Sequence, residues 1–188
     1  INCEDDETST GQGTASAINL GASKSKEYPT TLITNHHVVE RCIGVDSELT
    51  IALPFKDPVP AVILKLDKKN DLATLGTNLE LPPLKLSENI TWPGYWVMAL
   101  GSADGYEGSV SFGNVINTNQ SEILITNNIS HGNSGRPLID NEGFVVGVIS
   151  WGSEVEQYNG AKSLDAFCAK MIKCKFDRGK KWWDYSDD

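Results

Sequence analysis

The sequence has little positive charge and no long apolar run. Its 188 residues carry 16 Lys and Arg against 25 Asp and Glu, which gives a formal net charge of −9. The phosphates of a nucleic acid would repel such a chain, so we expect no nucleic-acid partner. No apolar run approaches the roughly 18 to 20 residues of a membrane-spanning helix, so we expect no membrane partner either.

Cysteine is scarce, and its spacing matches no zinc motif. The four cysteines are Cys3, Cys42, Cys168 and Cys174. An even number is typical of disulfides in an oxidising compartment, which predicts a secreted or periplasmic protein. Of the three pairings that four cysteines allow, we favour Cys3–Cys42 with Cys168–Cys174. We expect no metal and no cofactor, since the acidic run at 4–7 lacks the alternating ligands and the glycine of an EF-hand loop.

Short runs of Thr, Val and Ile alternate with turn residues along most of the chain. The sequence holds 17 Gly and 8 Pro, and this punctuation predicts an all-β fold. The length suits one globular domain spanning 1–188. Within it, β-rich halves at about 11–78 and 95–162 flank a Pro-rich crossing segment at 79–94.

The two ends of the chain differ from the middle. Residues 1–10 are acidic and polar, and we interpret them as a solvated arm. Residues 163–174 form the one clear helix pattern, which Ser163 can cap. With the tail, the C-terminal part covers 163–188, and its adjacent tryptophans are expected to dock on the body of the protein.

A serine between glycines occurs in the second half, in the run Gly132-Asn133-Ser134-Gly135. Gly132 allows a tight turn whose amide points the same way as the amide of Ser134. Two such amides can bind the oxyanion of an acyl-transfer intermediate, so one loop can supply a hydroxyl and an oxyanion hole formed by Gly132 and Ser134. Because these residue types are also common in ordinary turns, the motif becomes informative only together with a base and an acid.

Candidates for both groups precede the serine. His36 and His37 end a β-rich run, and Asp67 and Asp71 lie between this pair and Ser134. The order His, Asp, Ser is that of chymotrypsin-like proteases and differs from the order in subtilisins and in α/β-hydrolases.

Three segments carry a family resemblance. Residues 34–39 (Thr-Asn-His-His-Val-Val), 70–75 (Asn-Asp-Leu-Ala-Thr-Leu) and 132–138 (Gly-Asn-Ser-Gly-Arg-Pro-Leu) resemble the signature blocks of trypsin-like proteases of the Deg/HtrA type and of bacterial glutamyl endopeptidases. The resemblance covers roughly residues 11–170. It implies two six-stranded antiparallel β-barrels of the chymotrypsin type with a short C-terminal helix, and it implies a serine endopeptidase.

The resemblance implies a catalytic triad of His37, Asp71 and Ser134. His37 precedes Val-Val as in the family blocks, so His36 is expected to make only local hydrogen bonds. Asp71 precedes Leu-Ala-Thr-Leu, which would anchor it, whereas Asp67 stands beside two lysines and is interpreted as part of a solvated turn. In this hypothesis His37 takes the serine proton, Asp71 fixes the imidazole tautomer, and a polypeptide is hydrolysed through an acyl-enzyme.

Substrate-binding residues are inferred from the resemblance as well. They lie before the serine and on a strand that resembles the substrate-binding strand of chymotrypsin: Asn128, Ile129, His131, Ser150, Trp151 and Gly152. No acid lies at the expected base of the specificity pocket, so a preference for Lys or Arg is disfavoured. We favour an apolar residue before the scissile bond, and the alternative is Glu, bound by His131 and Lys162.

The sequence departs from the family at two positions near the serine. Arg136 replaces a usual glycine, and we expect it to project from the turn. Asn133 replaces the Asp with which trypsin-like zymogens bind a new N-terminal amine, so Ile1 is not expected to activate the protein. A catalytically silent, protease-like binding module and a non-peptidase esterase are the alternative functions. A protein inhibitor is a further candidate partner, and the sequence gives no oligomeric state.

Overall fold

The structure is a computed structural model, and the residues it describes are 1–4, 10–19, 27–44, 47–89, 91–103, 106–129, 132–153, 155–171 and 174. Three of the features predicted above fall wholly or largely outside these ranges. They are His131, the acidic run 4–7 beyond its first residue, and the tail that contains Trp182 and Trp183.

The first half of the chain forms a curled antiparallel sheet of seven strands in the order β2-β1-β5-β6-β7-β4-β3. The strands are β1 (Asn2–Glu4), β2 (Thr10–Gln12), β3 (Ser16–Ala17), β4 (Thr30–Thr34), β5 (Glu48–Ile51), β6 (Val59–Asp67) and β7 (Leu72–Thr77). Strands β2 and β3 stand at opposite ends of this order, although only residues 13–15 separate them in the chain. The sheet therefore curls so that one continuous segment joins its two edges, and β2 and β3 count as one bent strand of a six-stranded barrel.

The second half forms a closed barrel in the order β10-β13-β12-β11-β8-β9. Its strands are β8 (Trp96–Ala103), β9 (Tyr106–Thr118), β10 (Glu122–Ile125), β11 (Pro137–Ile139), β12 (Val145–Gly152) and β13 (Asn159–Ser163). The predicted all-β fold of two chymotrypsin-like barrels is confirmed. Closure leaves this barrel without a free edge along most of its strands.

Two short α-helices complete the described fold, α1 (His36–Val39) and α2 (Leu164–Lys170). A 3-10 turn at Glu40–Cys42 follows α1 directly. The predicted cap of the C-terminal helix is confirmed, because the Ser163 hydroxyl accepts a hydrogen bond from the Ala166 amide at 3.3 Å. Within the described part of the chain, no helix is both long and apolar enough to cross a membrane.

A hydrophobic cluster joins the two halves. Ile33 and Leu72 from the first sheet pack with Val145 and Val148 from the second barrel, and Phe167 of α2 packs on the same cluster. All five side chains are almost fully buried. The two sheets and the helix therefore share one core at their interface, and this core holds the two halves of the chain together.

The crossing segment contributes to the same interface. Leu84 forms a bridge with Ile18 of the first half, and Leu86 forms one with Val145 of the second half. The segment predicted at 79–94 therefore contacts both barrels as it passes between them.

The N-terminal residues are not a solvated arm where the structure describes them. Strand β1 lies between β2 and β5 and pairs with both, and Cys3 within it is fully buried. The interpretation of residues 1–10 as a solvated arm was wrong for this strand. The acidic and polar composition of the segment gave no sign that Cys3 is buried and disulfide-bonded.

Both favoured disulfide pairings are confirmed. Cys3 bonds to Cys42 with their Cα atoms 5.7 Å apart, and Cys168 bonds to Cys174 with their Cα atoms 5.3 Å apart. The first bond ties β1 to the 3-10 turn just after α1, the helix that carries the histidine pair.

Candidate active site

A histidine and a carboxylate meet where β4 ends and β7 begins in the first sheet. The Nδ1 atom of His37 lies 2.8 Å from Oδ2 and 3.0 Å from Oδ1 of Asp71. The backbone amide of His37 also donates to Asp71 Oδ1 at 3.0 Å. Because Nδ1 faces a carboxylate, the neutral imidazole carries its proton on Nδ1. Nε2 is then the nitrogen that can act as a base.

The neighbouring residues explain how the two side chains are positioned. Asn35, fully buried between β4 and α1, donates from its side chain to the Asp71 carbonyl at 2.9 Å. Asp71 itself takes a left-handed backbone conformation with a φ of 51°. A non-glycine residue in this region carries strain that its surroundings must offset, and the bond from Asn35 is one such restraint.

The competing candidates, Asp67 and His36, are both buried. The Asp67 carboxylate accepts hydrogen bonds from the amide and the side chain of Asn70 at 3.2 Å and 2.6 Å. The predicted turn at Asp67 is therefore confirmed, but the prediction that Asp67 is solvated was wrong. His36 is also buried, whereas the side chain of His37 is 44% exposed. The structure thus brings together His37 and Asp71, the pair favoured by the sequence.

The Asp71 carboxylate is held in its ionised form. Burial raises its pKa, but hydrogen bonds from the His37 ring, the Ser150 hydroxyl and the His37 amide outweigh burial, so the pKa lies below its ordinary value of 3.8. The Ser150 bond is short, with 2.6 Å between Ser150 Oγ and Asp71 Oδ2. Because Ser150 lies on β12, this hydrogen bond connects the carboxylate to the second barrel.

The loop that carries Ser134 lies against the first sheet. The Thr14 amide donates to the Ser134 carbonyl at 2.8 Å, and the Thr14 hydroxyl donates to the Gly132 carbonyl at 3.2 Å. Gly13 leaves no space for a side chain, because an added Cβ would lie 2.6 Å from Val38, the residue after His37, and 3.2 Å from the Ser134 carbonyl oxygen. The segment at 13–14 thus bridges the serine loop and the helix that carries His37.

The turn after the serine leaves no space for a side chain. Gly135 has a φ of 85°, and a Cβ added there would approach the Thr14 carbonyl oxygen to 2.0 Å and Thr34 Oγ1 to 2.3 Å. Its amide donates to the Ile149 carbonyl of β12 at 2.9 Å. Gly132 also has a positive φ, of 83°. The two glycines are therefore required by backbone conformation and, at residue 135, by packing between the barrels.

Arg136 does not project from this turn, and that prediction was wrong. Its side chain is 1% exposed, and Nη2 donates to the Ser109 hydroxyl of β9 at 3.1 Å. The side chain lies flat on Gly101 of β8, where an added Cβ would come within 2.5 Å of Nε. A glycine on the neighbouring strand makes this burial sterically feasible, and the sequence pattern of the loop alone gave no signal for it.

Of the residues predicted to bind substrate, Ile129 and Gly152 lie close together. Ile129 packs against the core of the second barrel, and its Cγ2 lies 3.5 Å from where a Gly152 Cβ would be. Asn128 is exposed. The sequence did not predict a role for Asn159 of β13. Its side chain donates to the Asn127 carbonyl at 2.6 Å and accepts from the Ser153 amide at 3.0 Å, so it links the segment before the serine loop to the end of β12.

The strand that would pair with a substrate is partly open. Strand β12 pairs with β13 as far as Gly152, but its pairing with β11 ends at Val148. Among the described residues, the 150–152 segment therefore has no strand neighbour on its β11 side. The Trp151 indole lies on Gly160 of β13, so it covers the outside of the barrel.

The basic residue proposed for a glutamyl preference is already paired. Lys162 Nζ contacts Glu122 Oε1 at 2.5 Å across β10 and β13, and Trp151 Nε1 lies 3.4 Å from the same oxygen. The Lys162 side chain is mostly buried in this ion pair. Of the two residues behind that alternative, one is neutralised here and the other, His131, is not described.

The described residues contain no group of three or more His, Cys, Asp or Glu side chains that could hold a metal ion. The groups that the site itself offers are a hydroxyl, an imidazole, a carboxylate and backbone amides.

Comparison with known proteins supports the resemblance. Residues 15–148 match a family model described as the trypsin-like peptidase domain. Over 129 residues the chain is 36% identical to a probable periplasmic serine endoprotease, DegP-like, of Hahella chejuensis, covering 63% of this chain and 27% of that protein. It is 32% identical to human serine protease HTRA3 over 135 residues, which are 62% of this chain and 30% of that protein. The chain thus spans about a quarter to a third of the length of these relatives.

Solved structures agree on the fold. The active form of the Rv3671c protease of M. tuberculosis superposes with a TM-score of 0.75 at 20% identity, covering 95% of this chain and 82% of that one. The HtrA-type protease AlgW, solved with a decapeptide, gives a TM-score of 0.65 at 26% identity over 82% of this chain and 48% of that one.

Proposed function

The chain belongs to the trypsin-like peptidase domain family, and from this membership we propose that it is a serine endopeptidase acting through an acyl-enzyme. The observation that carries the proposal is the contact of His37 Nδ1 with both carboxylate oxygens of Asp71. Ser134 lies in a glycine-bounded loop that Thr14 of the same half of the chain as this pair holds by two hydrogen bonds. This arrangement matches the roles of a base, its orienting acid and a nucleophile.

The proposed reaction begins at the serine hydroxyl. Nε2 of His37 removes the proton of Ser134 as its oxygen attacks the peptide carbonyl, and the imidazolium then protonates the leaving amine. Asp71 keeps the Nδ1 proton in place and stabilises the imidazolium, which its lowered pKa supports because the carboxylate stays ionised. Water then hydrolyses the acyl-enzyme by the same proton transfers in reverse.

The oxyanion is proposed to bind at the amides of Gly132 and Ser134. The positive φ of Gly132 supports this, since it allows the turn that aligns two amides. Each donor of such a site is commonly worth about 3 kcal/mol in the transition state. The open side of the 150–152 segment is proposed to pair with the substrate backbone as an added strand.

The residue before the scissile bond is proposed to be apolar and of medium size. Ile129 and Gly152 would form its walls, and the hydrogen-bonded side chain of Asn159 limits the space between them. The Lys162–Glu122 ion pair weighs against the glutamyl alternative, because a lysine so engaged is not available to a substrate carboxylate.

The substrate class and the compartment follow as parts of the same proposal. The relatives are named as proteases, so we take polypeptides as substrates. The two disulfides and the periplasmic relatives support a secreted or periplasmic location.

Hydrolysis of matched peptides that differ only before the scissile bond tests this proposal. We expect faster cleavage after Val or Leu than after Glu, and we expect Ser134→Ala to lower turnover by roughly 10⁶-fold. The control is His36→Ala, which should retain most activity. A chain that is folded but hydrolyses no peptide would favour a silent binding module, and hydrolysis of simple esters alone would favour an esterase.

A further inference from the structure

The second barrel carries an open cleft that the catalytic chemistry does not use. Its volume is about 800 Å³. The residues that line it come from the crossing segment, the start of β8 and the turn before β12, and they include three aromatic and two acidic side chains: Glu88, Asn89, Trp92, Gly94, Tyr95, Trp96, Asn141 and Glu142. None of these described lining residues is basic.

The aromatic wall of the cleft is exposed to solvent. Tyr95 is 48% exposed and Trp96 is 40% exposed, so both rings present apolar surface to solvent. Trp96 also packs against Phe112 of β9, with ring centroids 5.6 Å apart, and Phe112 is 62% exposed. The exposed apolar surface therefore continues from the cleft onto the outer face of β9, where Val110 is exposed as well.

The acidic side of the cleft is held in place from behind. The buried Asp140 accepts hydrogen bonds from the amides of Glu142 and Phe144, at 3.0 Å and 2.9 Å. Its other oxygen accepts from the Ser87 hydroxyl at 2.8 Å. The turn that carries Glu142 is thus fixed to the crossing segment that carries Glu88. This part of the cleft is preorganised and needs little ordering when a ligand binds.

Among the described residues that line the cleft, the two carboxylates have no basic neighbour. Asn89 donates to Glu142 from its side chain at 3.4 Å, and this neutral group leaves the charge uncompensated. Lys85, the basic residue nearest in sequence, lies over the Phe144 ring instead, 6.0 Å from its centroid. Aromatic faces beside uncompensated carboxylates attract a cation with an apolar stem, which describes an Arg or Lys side chain.

We propose that this cleft is a secondary binding site for a basic segment of a polypeptide. The cationic side chain would lie on Trp96 and Tyr95 with its charge facing Glu88 and Glu142, and neighbouring apolar residues would cover Phe112. The net charge of −9 would favour the approach of such a segment.

The site would be separate from the proposed catalytic residues. Strand β8 begins at Trp96 in the cleft and passes Gly101, on which Arg136 of the serine loop packs. Five residues of strand correspond to roughly 17 Å. A polypeptide bound at the cleft would therefore contact the protease domain well away from the bond that is cut.

Binding is measured best on the Ser134→Ala chain, so that the peptide is not cleaved. The probe is a fluorescein-labelled hexapeptide in which Arg alternates with Leu, and the readout is fluorescence anisotropy. We expect saturable binding that Trp96→Ala and Glu142→Gln each weaken by about five-fold or more. The same peptide with citrulline in place of Arg keeps the shape without the charge, and we expect it to bind at least about five-fold more weakly.

Matched controls separate the site from general effects. Phe55→Ala removes an exposed aromatic elsewhere, Glu156→Gln removes an exposed acid elsewhere, and neither should change binding. Thermal unfolding of each variant checks that it is folded. Equal binding of the citrulline peptide, unchanged binding by Trp96→Ala and Glu142→Gln, or equal losses in the controls would overturn the proposal. Tighter binding of a neutral oligosaccharide such as chitotetraose, lost in Trp96→Ala, would also overturn it.

Discussion

The two halves of the proposed catalytic site are held in different ways. His37 and Asp71 both belong to the first half of the chain, and their contact is restrained there by the His37 amide and by Asn35. The Ser134 loop belongs to the second barrel, yet Thr14 of the first half bonds to its carbonyl groups.

This difference indicates which part of the site a change at the barrel interface should disturb. The acid–base pair has most of its restraints within one sheet, so it should survive small movements between the barrels. The nucleophile depends on packing across the interface, so a change there should misplace Ser134 while His37 and Asp71 stay in contact. One bond in the opposite direction, from Ser150 to Asp71, modifies this contrast without removing it.

Replacement of the orienting acid should have the largest effect among the following variants. Asp71→Asn keeps the shape but removes the charge that holds the Nδ1 proton of His37, so kcat/KM should fall by about 10⁴-fold. Asp67→Asn is the matched control, since that carboxylate bonds within its own turn. Peptide hydrolysis measures both, and equal losses would reverse the assignment of the acid.

Disturbing the barrel interface should affect the nucleophile alone. Gly135→Ala forces a Cβ against the Thr14 carbonyl and Thr34 Oγ1, and the shift of the serine loop should lower kcat by about 100-fold. Gly143→Ala is the control, because Gly143 has a similar φ of 83° but nothing within 4 Å of an added Cβ.

The low-field NMR signal of the His37 Nδ1 proton distinguishes the two halves in these variants. We expect it to persist in Gly135→Ala although activity is lost. Its disappearance would mean that the acid–base pair also depends on the interface, and the contrast drawn above would not hold.

Arg136 is a second residue that holds the serine loop, through its contacts with Ser109 and Gly101. Arg136→Ala removes the bond to Ser109 and leaves a cavity over Gly101, so the free energy of unfolding should fall by about 2 kcal/mol. Arg41→Ala, at an exposed position, should change it by less than about 0.5 kcal/mol. Urea denaturation measures both. An Arg136→Ala protein whose free energy of unfolding is unchanged would show that this buried side chain does not anchor the loop.

The Ser150 bond should have the smallest effect. Ser150→Ala removes one of the hydrogen bonds that lower the pKa of Asp71, so this pKa should rise, and kcat/KM should fall by about five-fold. A depressed pKa stabilises the fold above the ordinary value of 3.8, and this contribution disappears as pH falls through the folded-state pKa.

The destabilisation by Ser150→Ala should therefore be visible at neutral pH and absent below the folded-state pKa of Asp71. Unfolding followed at several pH values checks this. A loss of stability that is the same at every pH would indicate a packing effect instead.

The sequence predicted the parts of this site that depend on local pattern. The alternation of β-formers predicted an all-β fold, and the three segments that resemble the family's signature blocks predicted the two barrels and the pairing of His37 with Asp71. The burial of Arg136 could not be predicted in this way, because it requires a glycine at residue 101 on a strand far away in the sequence. The roles of Asn159 and Thr14 were missed for the same reason, since each is defined by contacts across the fold.

Covalent labelling with a biotinylated diphenyl phosphonate tests most directly whether these residues form one catalytic unit. Mass spectrometry of the labelled chain should show a single adduct on the peptide that contains Ser134, and labelling of His37→Ala and Asp71→Asn should be at least about 100-fold slower. An adduct elsewhere, equal labelling of His37→Ala, or no adduct on the folded chain would contradict an acyl-enzyme mechanism built on Ser134, His37 and Asp71.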